Sequence, residues 1–452
     1  MAGFGINAWY KKEDYWSIII ALGLVLITTL TFFSGGISIF KTMAVNFPGW
    51  SDGGKVLASL VQNSWGLIYL FGFFLILFSL AARIMGFEIK HYIAGFTVLY
   101  IVSVLIAVVA ANKFVKDWQL ESPLLALLFG LIISNTLTLP QWFHSALRTE
   151  FYVKTGIILM GATLPFTIIL QAGPLAIIQA TIVSVVTFVA IYFAATKLFG
   201  LDPRFGATLG AGGSICGVSA SIAVGGACRA EKEHVSVAIS LVIIWAVAMI
   251  FVLPAICKSL GLLPGPAGAW IGTSEFADAA GFAAAEAIAD ERAVKTFTLM
   301  KVIGRDMFIG VWALVTAILS VAVWEKDKKE ETFQTTLPNQ CEPINIAEIW
   351  NRFPKFVIGF FIASIFTTLV IFSLEPKLGT LYSKEVIGTI KILRGWAFTW
   401  TFLCIGFTTR FRELTSFGWK PFAAFAIGVA INVPLGYLLS NVVFVEYWLG
   451  IK

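Results

Sequence analysis

Charged side chains stand inside segments that are otherwise apolar. One of these segments contains Lys301, Arg305 and Asp306. Lys301 and Arg305 share a helix face because they are four residues apart. Arg394 stands near the start of another apolar segment. A charge inside a bilayer costs about 2.5–3.5 kcal/mol, so it usually faces a cavity or a partner. The three cations predict an anion-binding pocket. The alternatives are an Arg305–Asp306 pair and side chains that reach the membrane interface.

A glycine-rich stretch interrupts the apolar pattern at 209–227, LGAGGSICGVSASIAVGGA, with six glycines in nineteen residues. Irregular backbone is tolerated inside a membrane only where protein or a watery cavity covers it. The stretch predicts a discontinuous helix that breaks near Gly210–Gly213 and restarts at Ser214, with free N–H groups that attract an anion. Close helix packing through small residues is the alternative. The predicted substrate-binding residues here are Gly213, Ser214, Ile215, Cys216, Gly217 and Ser219.

A second stretch rich in small residues lies at 271–287, IGTSEFADAAGFAAAEA. Its Gly-Thr-Ser turn predicts another break, after which Ser274 caps a helix that has Glu275 and Asp278 in its first turn. Thr273 and Ser274 are predicted to bind the substrate. Intramembrane carboxylates often carry protons, so Glu275 and Asp278, with Asp306, are predicted to couple transport to an ion. An interfacial helix with ordinary N-terminal acids is the alternative.

The elements that must position these residues are membrane helices. The chain has 452 residues, of which 58% are hydrophobic and 13% charged, whereas roughly 25% are charged in soluble domains. Eleven apolar runs reach about 20 residues, the length that crosses a bilayer. With the two stretches above, they predict an all-α polytopic membrane protein with eleven to thirteen transmembrane segments.

Composition and motifs exclude several other classes of protein. Lys and Arg that flank membrane helices account for the net charge of +6, so no nucleic-acid partner is expected. The five cysteines form no C-x-x-C pair and predict neither a disulfide framework nor a metal site. Catalytic signatures are missing from the sequence. We therefore expect a protein that is not an enzyme and that needs no cofactor.

The distribution of basic residues between loops favours a cytoplasmic N-terminus. On this basis the chain divides into N-terminal scaffold helices at 1–121 and a first core half at 122–324, which holds both interrupted segments. A charged cytoplasmic loop follows at 325–353, and second-half helices occupy 354–452. The lipid bilayer and a second copy of the chain, in a homodimer, are the expected partners besides a small anion.

Two segments of the chain repeat a short pattern. GATLPFTIILQAGP begins at Gly161 and GFTTRFRELTSFGWKP begins at Gly406, and both contain G-x-T, a Phe at the fifth following position and a Gly at the twelfth. Under the orientation above, the two copies run in opposite directions across the membrane. Inverted repeats of this kind are common in secondary transporters.

Four segments together also carry a family resemblance: LGAGGSICGVSA, YVKTGIILMGATLPF, KVIGRDMFIGVWA and GFTTRFRELTSFGWKP. They resemble the YeiH-type sulfate exporters, over residues 122 to 440. The resemblance implies an inner-membrane protein related in architecture to cation:proton antiporters and bile-acid symporters. It also implies crossing helices in a core domain, a scaffold domain, a dimer and elevator-like motion. The chain departs from the family pattern in two places: Glu275 has no neighbouring His, and the basic pair is spaced K-x-x-x-R instead of K-x-x-R.

These observations predict a secondary active transporter of a small anion, sulfate or sulfite first, coupled to protons and working by elevator-type alternating access in a bacterial inner membrane. One alternative is a cation:proton antiporter in which the three carboxylic acids bind the cation. Another is a transporter of a different organic or sulfonate anion. A passive anion channel is a further alternative, which would show uncoupled current.

Overall fold

Helices form the regular structure of the chain throughout the described ranges. The computed structural model describes residues 10–51, 53–117, 122–306, 308–320, 355–410 and 418–451. Within these ranges the β-structure is limited to one isolated bridge between Trp50 and Asn112. The prediction of an all-α protein is confirmed.

Twenty-one α-helices, numbered in chain order, are described. The first eleven are α1 Glu13–Phe33, α2 Ser38–Met43, α3 Gly53–Gln62, α4 Ser64–Met85, α5 Ile89–Ala110, α6 Lys113–Asp117, α7 Ser122–Thr136, α8 Thr149–Thr163, α9 Phe166–Phe193, α10 Pro203–Ser214 and α11 Val218–Ala227. The others are α12 Lys232–Ser259, α13 Pro264–Ser274, α14 Asp278–Glu286, α15 Glu291–Thr298, α16 Phe308–Leu319, α17 Lys355–Ser373, α18 Pro376–Tyr382, α19 Gly388–Thr408, α20 Trp419–Leu438 and α21 Val445–Leu449. Short π-helical segments follow α9, α15, α18 and α20.

Seven helices of the described chain are long and apolar enough to cross a membrane. They are Glu13–Phe33, Ser64–Met85, Ile89–Ala110, Gly173–Leu198, Glu233–Ser259, Lys355–Ser373 and Trp419–Val443. Two shorter apolar helices, Leu125–Thr136 and Val218–Ala227, accompany them. The protein is therefore a polytopic membrane protein. Long uninterrupted helices are fewer than the predicted segments, because the two glycine-rich stretches each form a pair of short helices and because α7, α8 and α16 are shorter than 18 residues.

The chain divides into two compact units, each assembled from two stretches of sequence. Unit 1 comprises Met1–Gln171 and Lys355–Phe411, and unit 2 comprises Ala172–Pro354 and Arg412–Lys452. The division predicted from the sequence, at 1–121, 122–324, 325–353 and 354–452, stays a prediction, and its loop at 325–353 lies outside the described residues.

An aromatic core holds unit 1 together. Trp400 of α19 is fully buried, and its ring centroid lies 5.0 Å from that of Phe74 and 5.4 Å from that of Phe96. The indole N–H of Trp400 donates a hydrogen bond to Ser103 Oγ at 3.1 Å. Edge-to-face contacts of this kind stabilise packing beyond the area that they bury. Uninterrupted helices thus surround a dense apolar centre in unit 1.

The repeated pattern extends over whole helices. The helices α8 and α19 end at Thr163 and Thr408. The helices α9 and α20 end at Phe193 and Leu438, and each continues into a five-residue π-helical segment, at 194–198 and 439–443. Every one of these pairs has the same separation, 245 residues. Two consecutive helices therefore recur with matching ends, although the second copy of the motif itself lies partly outside the described residues.

Candidate functional site

The first interruption lies between α10 and α11 in unit 2. Asp202 caps α10, because its side chain accepts hydrogen bonds from the N–H groups of Arg204 and Phe205, and α10 then continues to Ser214. Gly217 has a positive φ of 78°, a conformation that side chains disfavour. A Cβ at Gly217 would also lie 2.6 Å from the carbonyl oxygen of Phe276. Gly217 is therefore the residue that permits the break.

The predicted break near Gly210–Gly213, with a restart at Ser214, was wrong. These residues are helical and buried. A Cβ at Gly213 would lie 2.3 Å from Ile191 Cδ1, and one at Gly210 would lie 3.1 Å from the carbonyl oxygen of Phe188. Gly210 and Gly213 therefore allow the close approach of α9, the packing role that was the alternative interpretation.

The second interruption lies between α13 and α14, also in unit 2. The helix α13 continues to Ser274, Glu275 has extended backbone angles, and α14 begins at Asp278. Ser274 is therefore the last residue of a helix, so its predicted role as an N-terminal cap was wrong. The Gly-Thr-Ser segment is helical, and Gly272 lets α13 pack closely against Met300, whose Cβ would lie 2.7 Å from an added carbon. Asp278 lies in the first turn of α14, as predicted, but Glu275 precedes that helix, so its predicted place in the same turn was wrong.

Lys301 connects the two interruptions. Its Nζ donates hydrogen bonds to the carbonyl oxygens of Ile215, at 2.8 Å, and Glu275, at 2.9 Å. Both carbonyls follow the last residue of a half-helix, where the helix dipole is negative and carbonyl groups have no partner within the helix. The Lys301 side chain is fully buried. One ammonium group thus stabilises the C-terminal ends of α10 and α13 together.

Arg305 serves the same two helix ends. Its Nε donates to the carbonyl oxygen of Ser214 at 3.2 Å, and its Nη1 lies within hydrogen-bonding distance of the carbonyls of Gly272, Thr273 and Glu275, at 3.1, 2.7 and 3.0 Å. Nη2 has no hydrogen-bond partner among the described residues. Most of the donor capacity of Arg305 is therefore used on backbone groups that could not remain unpaired inside a membrane.

Three acidic side chains accompany these cations. Glu275 is fully buried, and its Oε1 accepts hydrogen bonds from the N–H groups of Phe276 and Ala277, while its Oε2 is unmatched within the described chain. Asp278 Oδ1 lies 3.8 Å from Lys301 Nζ. Asp306 is fully buried. The three predicted coupling residues are thus close to one or both interruptions.

Cys216 belongs to the same group. One ligand atom each from Cys216, Asp278 and Asp306 lies within 4.8 Å of the others. A thiol and two carboxylates at this spacing have the chemistry to hold a cation. The sequence placed all three residues at the site and offered Asp278 and Asp306 as cation ligands in the antiporter alternative, but it did not predict that Cys216 joins them, because the three residues are far apart along the chain.

The remaining predicted residues have different surroundings. Ser214 Oγ is buried and has no hydrogen-bond partner in the described ranges. Ser219 is half-buried in the first turn of α11. Arg394 lies in unit 1, where its Nη1 donates to Thr163 Oγ1 at 3.0 Å. The structure therefore brings Lys301 and Arg305 together with the ends of α10 and α13 in unit 2, whereas Arg394 has its own partners at the end of α8.

Sequence reasoning missed one buried polar pair in unit 2. Asn432 of α20 and Thr187 of α9 are both fully buried, and Asn432 Nδ2 donates to Thr187 Oγ1 at 2.9 Å. Their separation is 245 residues, which is also the separation of Gly161 and Gly406. The sequence therefore contained a signal for this pair: when the two copies of the repeat are aligned, each has a polar residue at this position of an apolar segment.

Comparison with known proteins identifies the family of this chain. The family described as Conserved hypothetical protein 698 matches residues 94–425. A UPF0324 membrane protein of Rhodopirellula baltica is 34% identical over 394 residues, which are 85% of this chain and 70% of that protein. The chain belongs to the UPF0324 family of membrane proteins. No solved structure matches it.

Two other relatives bear UPF0324 names. A UPF0324 membrane protein of Nitratidesulfovibrio vulgaris is 32% identical over 378 residues, which cover 82% of this chain but only 63% of that relative. The UPF0324 inner membrane protein YeiH of Escherichia coli is 27% identical over 331 residues, or 71% of this chain and 86% of that protein. The resemblance to the YeiH-type family is thereby confirmed.

At the two interruptions of this UPF0324 protein, acidic side chains outnumber basic side chains. Lys301 and Arg305 provide two positive groups, while Glu275, Asp278 and Asp306 provide three acidic groups. With all five ionised, the net charge of the group is −1. Protonation of one acid makes it neutral, and protonation of two makes it positive. The charge of the site therefore depends on how many protons it binds.

Proposed function

We propose that this protein is a secondary active transporter of a small anion, with sulfate and sulfite as the first candidates, and that transport is coupled to protons. The single observation that supports this most is the arrangement at the two interruptions, where Lys301 and Arg305 bind the ends of two broken helices beside three carboxylic acids. In secondary transporters, discontinuous helices form the substrate site near the middle of the membrane.

Attraction of the anion comes from groups that the fold leaves available. The helices α11 and α14 begin at the interruptions, and the first N–H groups of a helix are unpaired and carry partial positive charge. Arg305 Nη2 adds a donor on a guanidinium that matches the geometry of oxyanions. Ser214 Oγ adds a hydroxyl that can either donate or accept. These groups support the binding of one compact oxyanion.

Proton coupling follows from the charge of the group. An anion that enters a site of charge −1 is repelled, whereas one that enters after two acids have bound protons is attracted. Proton binding and anion binding therefore favour each other, and this linkage is reciprocal. Glu275 is the principal candidate for a coupling residue, because its Oε2 is buried and unmatched in the described structure.

The proposal also covers the membrane, the oligomeric state, the orientation and the transport mechanism. We place the protein in a bacterial inner membrane, since the E. coli relative is named an inner membrane protein, and we propose that it acts as a homodimer with a cytoplasmic N-terminus. Two compact units support an elevator-type mechanism, since such a mechanism requires one body that carries the site and another that stays in place.

Reconstitution in liposomes tests the proposal. We expect uptake of radiolabelled sulfate or sulfite that saturates with concentration and that rises when a pH gradient is imposed. Glu275→Gln should keep saturable binding but lose the response to the gradient. Glu446→Gln, which changes an exposed acid of the same unit, should behave as the native protein. If neither anion is taken up above the level of empty liposomes, the proposed substrate is wrong.

A second function is favoured by one observation. The proximity of Cys216, Asp278 and Asp306, whose ligand atoms lie within 4.8 Å of one another, suits cation:proton exchange, in which a cation and protons compete for the same carboxylates. Proton flux that is driven by Na⁺ or K⁺, and that is independent of any added anion, would support this function over anion transport.

A further inference from the structure

The buried pair Thr187–Asn432 occupies a special position in the fold. The helices α9 and α20 are equivalent members of the repeat, because their ends and the π-helical segments after them are 245 residues apart. Thr187 and Asn432 have the same separation and are hydrogen-bonded to each other. Where a two-fold operation relates two copies, a residue that contacts its own counterpart lies on the axis. Substrate sites of repeat-built transporters lie at such repeat interfaces.

One face of α20 is directed at the two interruptions. Phe425, Gly428, Asn432 and Gly436 are spaced by three or four residues and so share a helix face. At one end of this face, the Phe425 ring centroid lies 5.4 Å from that of Phe276, in the second interruption. At the other end, a Cβ at Gly436 would lie 2.6 Å from Ser274 Oγ. Asn432 is therefore flanked on both sides by residues that contact the α13–α14 segment.

The first interruption approaches the same face. A Cβ at Gly213 would lie 3.3 Å from the Phe425 ring and 2.3 Å from Ile191 Cδ1. Ile191 is one turn after Thr187 on α9, and a Cβ at Gly428 would lie 2.1 Å from Ile191 Cγ1. The polar pair thus lies beside the backbone of α10, close to where α10 ends, as well as beside α13.

The amide of Asn432 is only half satisfied. Its Nδ2 donates to Thr187, whereas its Oδ1 is buried without a hydrogen-bond partner in the described part of the chain. Glu275 Oε2 and Ser214 Oγ, at the interruptions, are unmatched as well. A buried acceptor without a donor is costly, and such a group commonly has a functional explanation. Asn432 Oδ1 and Glu275 Oε2 are therefore two side-chain acceptors near the interruptions that a donor on a bound substrate could satisfy.

We propose that Asn432 is a specificity-determining residue whose side-chain carbonyl accepts a hydrogen bond from a proton carried by the substrate. The site then selects a singly protonated oxyanion, such as hydrogen sulfite, over a fully deprotonated one, such as sulfate. The reason is that sulfite is partly protonated near neutral pH, whereas sulfate carries no proton to donate and would leave Asn432 Oδ1 unmatched. This inference rests on the proposed function and narrows its substrate class.

Paired uptake measurements test the inference. Liposomes with the reconstituted protein are supplied with labelled sulfite or labelled sulfate over a range of pH. We expect native protein to prefer sulfite, and the preference to grow as the pH falls. Asn432→Leu, which removes the amide at similar volume, should lower sulfite uptake about tenfold, the factor expected for one lost hydrogen bond to a charged ligand, and leave sulfate uptake unchanged. Thr187→Val, which leaves the amide unoriented, should reduce the preference less.

The control is Ser440→Ala. Gln179 Nε2 donates to Ser440 Oγ at 2.6 Å between the same two helical elements, so this variant removes a buried hydrogen bond without touching Asn432. It should leave the ratio of sulfite to sulfate uptake unchanged. Thermal unfolding and gel filtration of each variant show whether it folds.

Three outcomes would overturn the inference. If Asn432→Leu lowers the uptake of both anions by the same factor, its role is structural. If native protein transports sulfate as well as sulfite, the selectivity does not exist, although anion transport stands. If native protein transports neither anion, the proposed function itself fails, and the specificity inference falls with it.

Discussion

Unit 1 and unit 2 give their charged side chains different kinds of partner. In unit 1, oppositely charged side chains pair with each other at two places: Lys154 Nζ lies 2.7 Å from Asp14 Oδ1, and Lys41 Nζ lies 2.9 Å from Glu385 Oε1. In unit 2, Lys301 and Arg305 bind backbone carbonyls instead. The difference follows from the helices, which are uninterrupted around the core of unit 1 and broken in the middle of unit 2.

This difference has a consequence for stability. When an ion pair at a helix end is broken, water can solvate both charges, so each such pair contributes little to the stability of the protein. Cations that bind the carbonyls of broken helices are harder to replace, because an unpaired backbone group inside a membrane is costly. We therefore expect substitutions at the two interruptions of unit 2 to cost more stability than substitutions at ion pairs or at an exposed helix cap, and four variants test this in order of decreasing effect.

Arg305→Ala should have the largest effect. It removes the donor to four carbonyl oxygens and leaves buried acceptors unmatched, which we expect to lower the free energy of unfolding by about 3 kcal/mol or more. Thermal unfolding in detergent measures the change. Arg292→Ala, at an exposed position 13 residues earlier in the chain, is the control. A shift no larger than that of the control would mean that Arg305 does not stabilise the interruptions.

Gly217→Ala should come next. The positive φ of Gly217 and the 2.6 Å approach of Phe276 predict a loss of about 1–3 kcal/mol, because a side chain is strained there and has no space. Gly72→Ala is the control in unit 1, since nothing lies within 4 Å of an added carbon. That change should be neutral or stabilise α4 by up to about 1 kcal/mol. Equal unfolding temperatures for the two variants would contradict the assignment of the break to Gly217.

Asp14→Asn tests the ion pairs of unit 1. Asp14 accepts a hydrogen bond from Lys154 at 2.7 Å, and Lys154 also lies 3.3 Å from Glu150. Since Glu150 remains as a partner, we expect a loss of at most about 1 kcal/mol, smaller in high salt. Unfolding at two salt concentrations measures it. A loss as large as that of Arg305→Ala would remove the contrast between the units.

Asp290→Asn should have the smallest effect. Asp290 caps α15 in the turn after α14, and hydrogen bonds from Arg292 hold its pKa below the ordinary value. A lowered pKa stabilises the folded state above the usual pKa of about 3.9, and that stability is lost as the pH falls through the lowered value. Asn still caps the helix, so only a few tenths of a kcal/mol should be lost at neutral pH. The difference from native protein should vanish in acid; persistence there would mean that the charge contributes nothing.

The sequence by itself determined the class of the protein and the neighbourhood of its site. Apolar runs of transmembrane length require helices, because a helix pairs its own backbone groups inside lipid. The charges of Lys301, Arg305 and Asp306 within such a run, and the two stretches of small residues, identified the segments that unit 2 brings together. The 245-residue repeat was also visible, from Gly161 and Gly406, although the pattern covered only a few residues.

The tertiary structure alone decided what each of these residues contacts. Gly213 and Gly217 lie in the same glycine-rich stretch, yet Gly213 leaves space for the side chain of Ile191, whereas Gly217 permits the break between α10 and α11. Arg305 and Arg394 are both buried cations, yet one binds carbonyls of unit 2 and the other Thr163 of unit 1. The physical reason is that the partner of a buried group comes from a distant part of the chain, and local sequence carries no information about which partner arrives.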